Sequence, residues 1–180
     1  MALRLLIVLL VISLSVPATS SSASKCAEGD TAFLDPLVSS LIHWIADNSR
    51  YKLVDHFVPR IEFVPDEEVD RLANPGRTVD YWQDVDACFM TEHVTIYLSE
   101  DFDWRNLFHR STLVHELVHF MQLINGAFDY AECPAALERP AYFLQVDYLD
   151  QHGFDWPEGL REHLRLAGYV IGRCPPRHHY

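Results

Sequence analysis

An α+β fold is predicted by two patterns, and a third observation limits it to one domain. Apolar residues recur at helical spacing in several long stretches. Two short apolar segments, "DACFM" and "VTIYLS", flank the polar turn "TEH" and predict an antiparallel strand pair. No internal repeat or long linker divides the chain, so helices and a small sheet share one core.

The N-terminus stands apart from that domain. "MALRLLIVLLVISLSVPATSSSASKC" carries Arg4, an apolar run from Leu5 to Val16, and small residues from Pro17 to Ser24. This is the layout of a secretory signal peptide, too short in its apolar part to span a bilayer comfortably. Cleavage is expected after Ser20 or Ser24. Lys25 before Cys26 argues against a lipoprotein signal. Residues 1–24 are read as the signal and 25–180 as a single domain, long enough for its own core and secreted or periplasmic. No further stretch is long and apolar enough for a membrane span.

The full chain carries a formal net charge of −12. That balance argues against nucleic acid and anionic membrane surfaces as partners. Four cysteines, Cys26, Cys88, Cys133 and Cys174, predict two disulfides of undetermined pairing. None stands in a CxxC spacing, which argues against a cysteine zinc site.

Element by element, Phe33, Leu34, Leu37, Val38, Leu41, Ile42 and Ile45 predict an amphipathic helix from Thr31 to Asn48. "YKLVDHFVPRIEFVP" is β-prone, and its prolines favour an edge or short strand. "DEEVDRLAN" predicts a short helix stopped by "NPG". After the strand pair, Asp101 or Asp103 is the expected N-cap of a helix running to Asn125-Gly126. Further helices are expected over roughly 135–151 and 157–168, followed by an irregular tail.

The central helix carries the chemistry, in "STLVHELVHFMQ" at 111–122. His115 and His119 stand four residues apart, so both imidazoles can aim at one ion. Glu116 is turned about 100° from His115, placed to approach a water held there without becoming a ligand. This is the physical content of the HExxH pattern. Val114, Leu117, Val118, Met121 and Ile124 can bury the other side and stiffen both rings.

A catalytic zinc site needs a third protein ligand and one open position. Histidine six residues after the second one, with glycine midway, is excluded because Gln122 and Asn125 occupy those places. Asp129, ten residues after His119, and Glu138, nineteen after, both remain candidates. Pro140 constrains where a helix carrying Glu138 can begin. Tyr142, one turn beyond Glu138, is the first candidate to donate to an oxyanion, with His152 and His163 behind it. Gln122 and Gln145 are expected to orient neighbours, or simply to face water, rather than take part in chemistry. His43, His56, His93 and His109 show no ligand spacing, and His178-His179 could bind metal adventitiously. Trp44, Trp82, Trp104, Trp156 and Tyr81 are expected in the core or at its rim, or lining a peptide groove.

"HELVHFMQ" followed by "CPAALERPAYFLQ" resembles the gluzincin branch of the zincin metallopeptidases. More closely, it is similar to small exported bacterial proteins of unassigned function with the same two helical motifs. The resemblance covers roughly residues 93–151. It implies a zincin-like fold whose small antiparallel sheet has an edge strand, here "HVTIYL", before the HExxH helix. It also implies Zn2+ held by His115, His119 and Glu138, Glu116 as general base, and a peptide or protein substrate. Hydrolysis would follow from a metal-activated water. The competing expectations are a non-catalytic zinc-binding protein and a disulfide-stapled interaction module. The oligomeric state cannot be read from the residues.

Overall fold

The computed structural model describes residues 34–55, 57–74 and 85–175. The expected signal peptide, Cys26, His56, Tyr81, Trp82 and His178-His179 lie outside them. The elements are α1 (Leu34–Asn48), β1 (Arg60–Val64), α2 (Asp66–Ala73), β2 (Ala87–Met90), β3 (Thr95–Ser99), α3 (Leu107–Ile124), α4 (Ala127–Tyr130), a 3-10 turn (Pro134–Leu137), α5 (Glu138–Gln151) and α6 (Leu160–Ile171). The α+β class holds. No helix among the described residues is long and apolar enough to cross a membrane.

The sheet differs from expectation in two ways. It is mixed, not purely antiparallel, with order β1-β3-β2. β2 and β3 form the expected antiparallel pair, whereas β1 lies parallel to β3. The strand preceding α3 is therefore central, not an edge. Its burial shows why: Thr95, Ile96, Leu98 and Ser99 are all buried, so both faces of β3 are covered. The strand whose outer edge remains is β2. β1 takes the other edge, bracketed by Pro59 and Pro65 as its prolines predicted.

α3 is the axis of the molecule. Leu113, Val114, Leu117, Val118, Phe120 and Met121 are fully buried beneath α1, the sheet and α5. The helix is thus covered on nearly every side rather than on one stripe. Its cap is Asn106, whose Oδ1 accepts from the Phe108 N–H at 2.8 Å. Asp101 and Asp103 are not caps, because two tight turns, Phe102 N–H to Ser99 O and Asn106 N–H to Asp103 O, lie between β3 and the helix. At the other end Gly126 adopts φ +67°, a left-handed exit that glycine allows without strain.

α5 begins at Glu138, directly after the 3-10 turn. Pro140 therefore falls in the first turn, where its missing N–H costs no helical hydrogen bond. α6 starts about one turn later than expected, since Leu160 N–H closes a turn on Pro157 O. It then packs closely on α5. A Cβ added at Gly172 would collide with the Gly168 carbonyl oxygen and lie 3.1 Å from Arg139 N.

One disulfide, Cys133–Cys174, joins the segment leading into Glu138 to the end of α6. Cys88 is a free thiol, so among the described residues the expected second disulfide does not form. The bridge closes a sequence separation of 41 residues. Replacing both cysteines with serine should cost about 2–4 kcal/mol of stability. A urea denaturation midpoint equal to that of the wild type would refute this role.

Candidate metal centre

Local sequence places two of the three converging groups, and helix packing supplies the third. His115 and His119 project from successive turns of α3, with ring centroids 5.0 Å apart. Glu138, at the start of α5, lies across from them. Its Oε2 is 3.3 Å from His115 Nε2 and its Oε1 is 3.4 Å from His119 Nε2. One ligand atom from each of the three lies within 4.8 Å of the others, a grouping that can hold a metal ion. Asp129, the competing third ligand, is exposed on α4 and outside the group, its Oδ2 close to Gly126.

Both imidazoles are held from behind by amides. His119 Nδ1 is 2.9 Å from Gln122 Oε1, and His115 Nδ1 is 3.2 Å from Gln145 Oε1. The amide orientations follow from their other partners. Gln122 Nε2 donates to Leu137 O at 2.8 Å, a group that only accepts, and also to Tyr51 OH at 3.1 Å. Gln145 Nε2 donates to Ser111 Oγ, which itself donates to Phe108 O. Each glutamine oxygen therefore faces a ring, and each Nδ1 must carry the proton. That directs Nε2 toward Glu138, the arrangement in which a second partner fixes the tautomer of a ligating histidine. The expectation that both glutamines orient neighbours is met.

Glu116 stays outside the trio. Its Oε2 accepts from the Phe89 N–H of β2 at 2.8 Å, an N–H that points away from β3. Burial raises the Glu116 carboxyl, with the Glu138 charge adding to it. The two imidazoles and the Phe89 N–H act in the opposite direction and are outweighed. Tyr142 packs its ring edge-on against His115, 4.5 Å between centroids. Burial, then the charges of Glu138 and Glu116, push its hydroxyl up to about 12, which keeps it a donor near neutrality. Cys88 lines the same cleft, and burial with the two carboxylates pushes its thiol up to about 12.

The remaining candidates lie elsewhere. His152 is exposed and bonds through Nδ1 to Tyr148 O; His163 is exposed on α6. His43 bonds to Ser39 O, and His109 accepts from the Asp103 N–H. Trp44 and Trp156 bond to Gln151 and Asp150 at the rim of the core. None of these lines the cleft around the trio. Two participants had no signal in the sequence. The Phe89 contact is a backbone group, and Tyr51 meets Gln122 across 71 residues of chain.

The match to a family model extends over residues 30–158, most of the chain and all three converging residues. The chain belongs to the family described as Domain of unknown function (DUF6647). No curated protein and no solved structure matches it. The matched span of this DUF6647 chain stops before α6, so Cys174 and the helix that α5 packs against lie beyond it.

Without a metal, His119 and Glu138 favour each other's charged forms. Burial opposes charge on His119, but its hydrogen bond to Glu138 and that carboxylate's charge prevail and push it up to about 9. Burial likewise opposes the Glu138 charge, yet the two imidazoles hold it well below the usual range. A raised histidine contributes stability that is complete below its free value of 6.5 and lost as pH rises through about 9. A depressed carboxyl contributes above 4.5 and loses its share on acidification below that. Chelator-treated wild type should therefore exceed Glu138→Gln in melting temperature most between pH 4.5 and 6.5. A difference independent of pH would contradict this.

Proposed function

We propose that the chain is an exported, zinc-dependent metallopeptidase that hydrolyses peptide bonds. The observation that carries this reading is the convergence of Glu138 on the two Nε2 atoms while Glu116 stays out of the group, tethered to Phe89. A pure metal-binding site has no use for a buried carboxylate so placed.

The donor set suits zinc. Two ligand atoms each about 2.0–2.1 Å from a tetrahedral ion lie roughly 3.3 Å apart. Glu138 Oε2 stands 3.3 Å from His115 Nε2 and its Oε1 3.4 Å from His119 Nε2, each near that spacing, and one ligand atom from each residue lies within 4.8 Å of the others. His₂Glu is also a donor set that leaves a position open for water. A zinc ion there would supply Lewis acidity toward water and the substrate carbonyl.

The chain's own groups account for the proton movements. Glu116, poised upward by burial, accepts a proton from the attacking water and returns it to the leaving nitrogen. The water oxygen bonds to the carbonyl carbon, the C–N bond breaks, and a carboxylic acid and an amine result. Tyr142, protonated and with its ring against His115, would donate to the carbonyl oxygen as negative charge develops on it.

Export is supported by the basic-then-apolar N-terminus and by the Cys133–Cys174 bridge, which persists in an oxidising compartment. The zincin resemblance of the HELVH and Glu138 motifs supports the same reading.

Purified protein should contain one zinc per chain by elemental analysis. His115→Ala should remove it and Glu138→Ala should weaken it strongly. Glu116→Gln should keep the metal but cut peptide hydrolysis by at least about 10²-fold. Undiminished turnover in Glu116→Gln would overturn its role as general base, and zinc without peptide hydrolysis in the wild type would leave the non-catalytic zinc-binding reading standing.

A further inference from the structure

The cleft continues past the converging trio in two directions. Toward His119 it opens into a cavity of about 350 Å³ bounded by Phe89, Phe128, Pro134 and Leu137. The other way it opens into about 470 Å³ lined by Asp86, Phe108, Thr112, Gln145 and Leu164. Ala87, His115, Glu116, Glu138 and Tyr142 border both. The two spaces are arms of one groove with the trio at its middle, so a ligand can extend beyond the site at both ends.

The arms differ in chemistry. Beyond the shared residues, the His119 arm is walled mainly by two aromatic rings, a proline and a leucine. Phe89 packs edge-on against the fully buried Phe120, 6.2 Å between centroids, so that wall is anchored in the core. Exposed apolar side chains gather at the same end of α3. Phe128 and Tyr130 follow it directly. Leu53, Val54, Phe57 and Val58 are tied to it by the Asn125 side-chain amide, which accepts from Lys52 N–H and donates to Lys52 O, and by Phe57 stacked on Phe120.

Charge narrows the occupant. Asp86, Glu116 and Glu138 line the groove in a chain of net charge −12, an environment that repels acidic side chains. Among the described residues the lining contains no lysine or arginine, the groups that would hold a terminal carboxylate.

From the two-armed groove and its apolar wall we infer that the site takes an internal stretch of an extended polypeptide, with an uncharged apolar side chain seated in the His119 arm between Phe89, Phe128 and Leu137. The cutting of that stretch rests on the metallopeptidase reading; its binding does not.

The test uses acetylated, amidated peptides of about ten residues that differ only at a central Leu, Phe or Asp. Binding to zinc-loaded Glu116→Gln is read by fluorescence anisotropy, and cleavage by zinc-loaded wild type is read by mass spectrometry. The Leu and Phe peptides should bind, and be cut, at least about tenfold better than the Asp peptide. Phe128→Asp, at an exposed position, should erase most of that preference with zinc content unchanged. Equal affinity for Leu and Asp, a requirement for a free terminus, or no binding of blocked peptides would each overturn the inference. Binding preference without cleavage by wild type would sustain the groove assignment and sink the hydrolase. Cleavage without preference would do the reverse.

Discussion

The side-chain amide of Gln122 is the constraint on which the site depends. It is fully buried, and its three contacts come from three parts of the chain: His119 on its own helix, the Leu137 carbonyl at the threshold of α5, and the Tyr51 hydroxyl after α1. A buried amide has to satisfy both ends or incur the full desolvation cost. Gln122 can do so only when α3 and the start of α5 meet in one register. That register is also the one in which Glu138 faces the imidazoles. Gln145 repeats the device from the other helix, reaching from α5 back to His115 and Ser111 on α3. Each helix thus supplies an amide that orients a ring, and the two rings orient toward a single carboxylate.

Around this interface the fold supplies rigidity where aim matters. Glu138 stands at a helix start, a position that would fray if left alone. Three features restrain it: the 3-10 turn before it, the Cys133–Cys174 bridge five residues upstream, and the close seat of Gly172 against Arg139. β2 performs the equivalent service for Glu116, fixing the carboxylate with a backbone N–H instead of a side chain. A carboxylate held this way keeps its position while remaining buried, and burial is what lifts its proton affinity. The polar centre is small and bounded by apolar packing on the α3 side, so its charges act at short range in a poorly screened setting.

Much of this was legible in the residues. The period of α1 and α3, the β2–β3 pair, the glycine exit of α3 and the i, i+4 imidazoles are local patterns, dictated by neighbours a few residues away. The amphipathic reading of α3 was too modest because it could not register how many elements would cover the helix. The N-cap moved from Asp101 or Asp103 to Asn106 because two successive turns occupy the chain between β3 and α3. The Cys133–Cys174 pairing and the free Cys88 were beyond reach, since cysteine pairing depends on distances that spacing does not encode.

The linear order of residues by itself determined which helix carries the paired imidazoles, which carboxylate beside them stays off their shared face, and that the fold class is α+β. These follow from helical periodicity and binary patterning, which need no partner to act. Only tertiary structure chose Glu138 over Asp129, put β3 inside the sheet and left β2 facing the cleft. Such choices join groups separated by tens of residues, and what selects among them is the satisfaction of buried polar atoms and the close packing of whole elements.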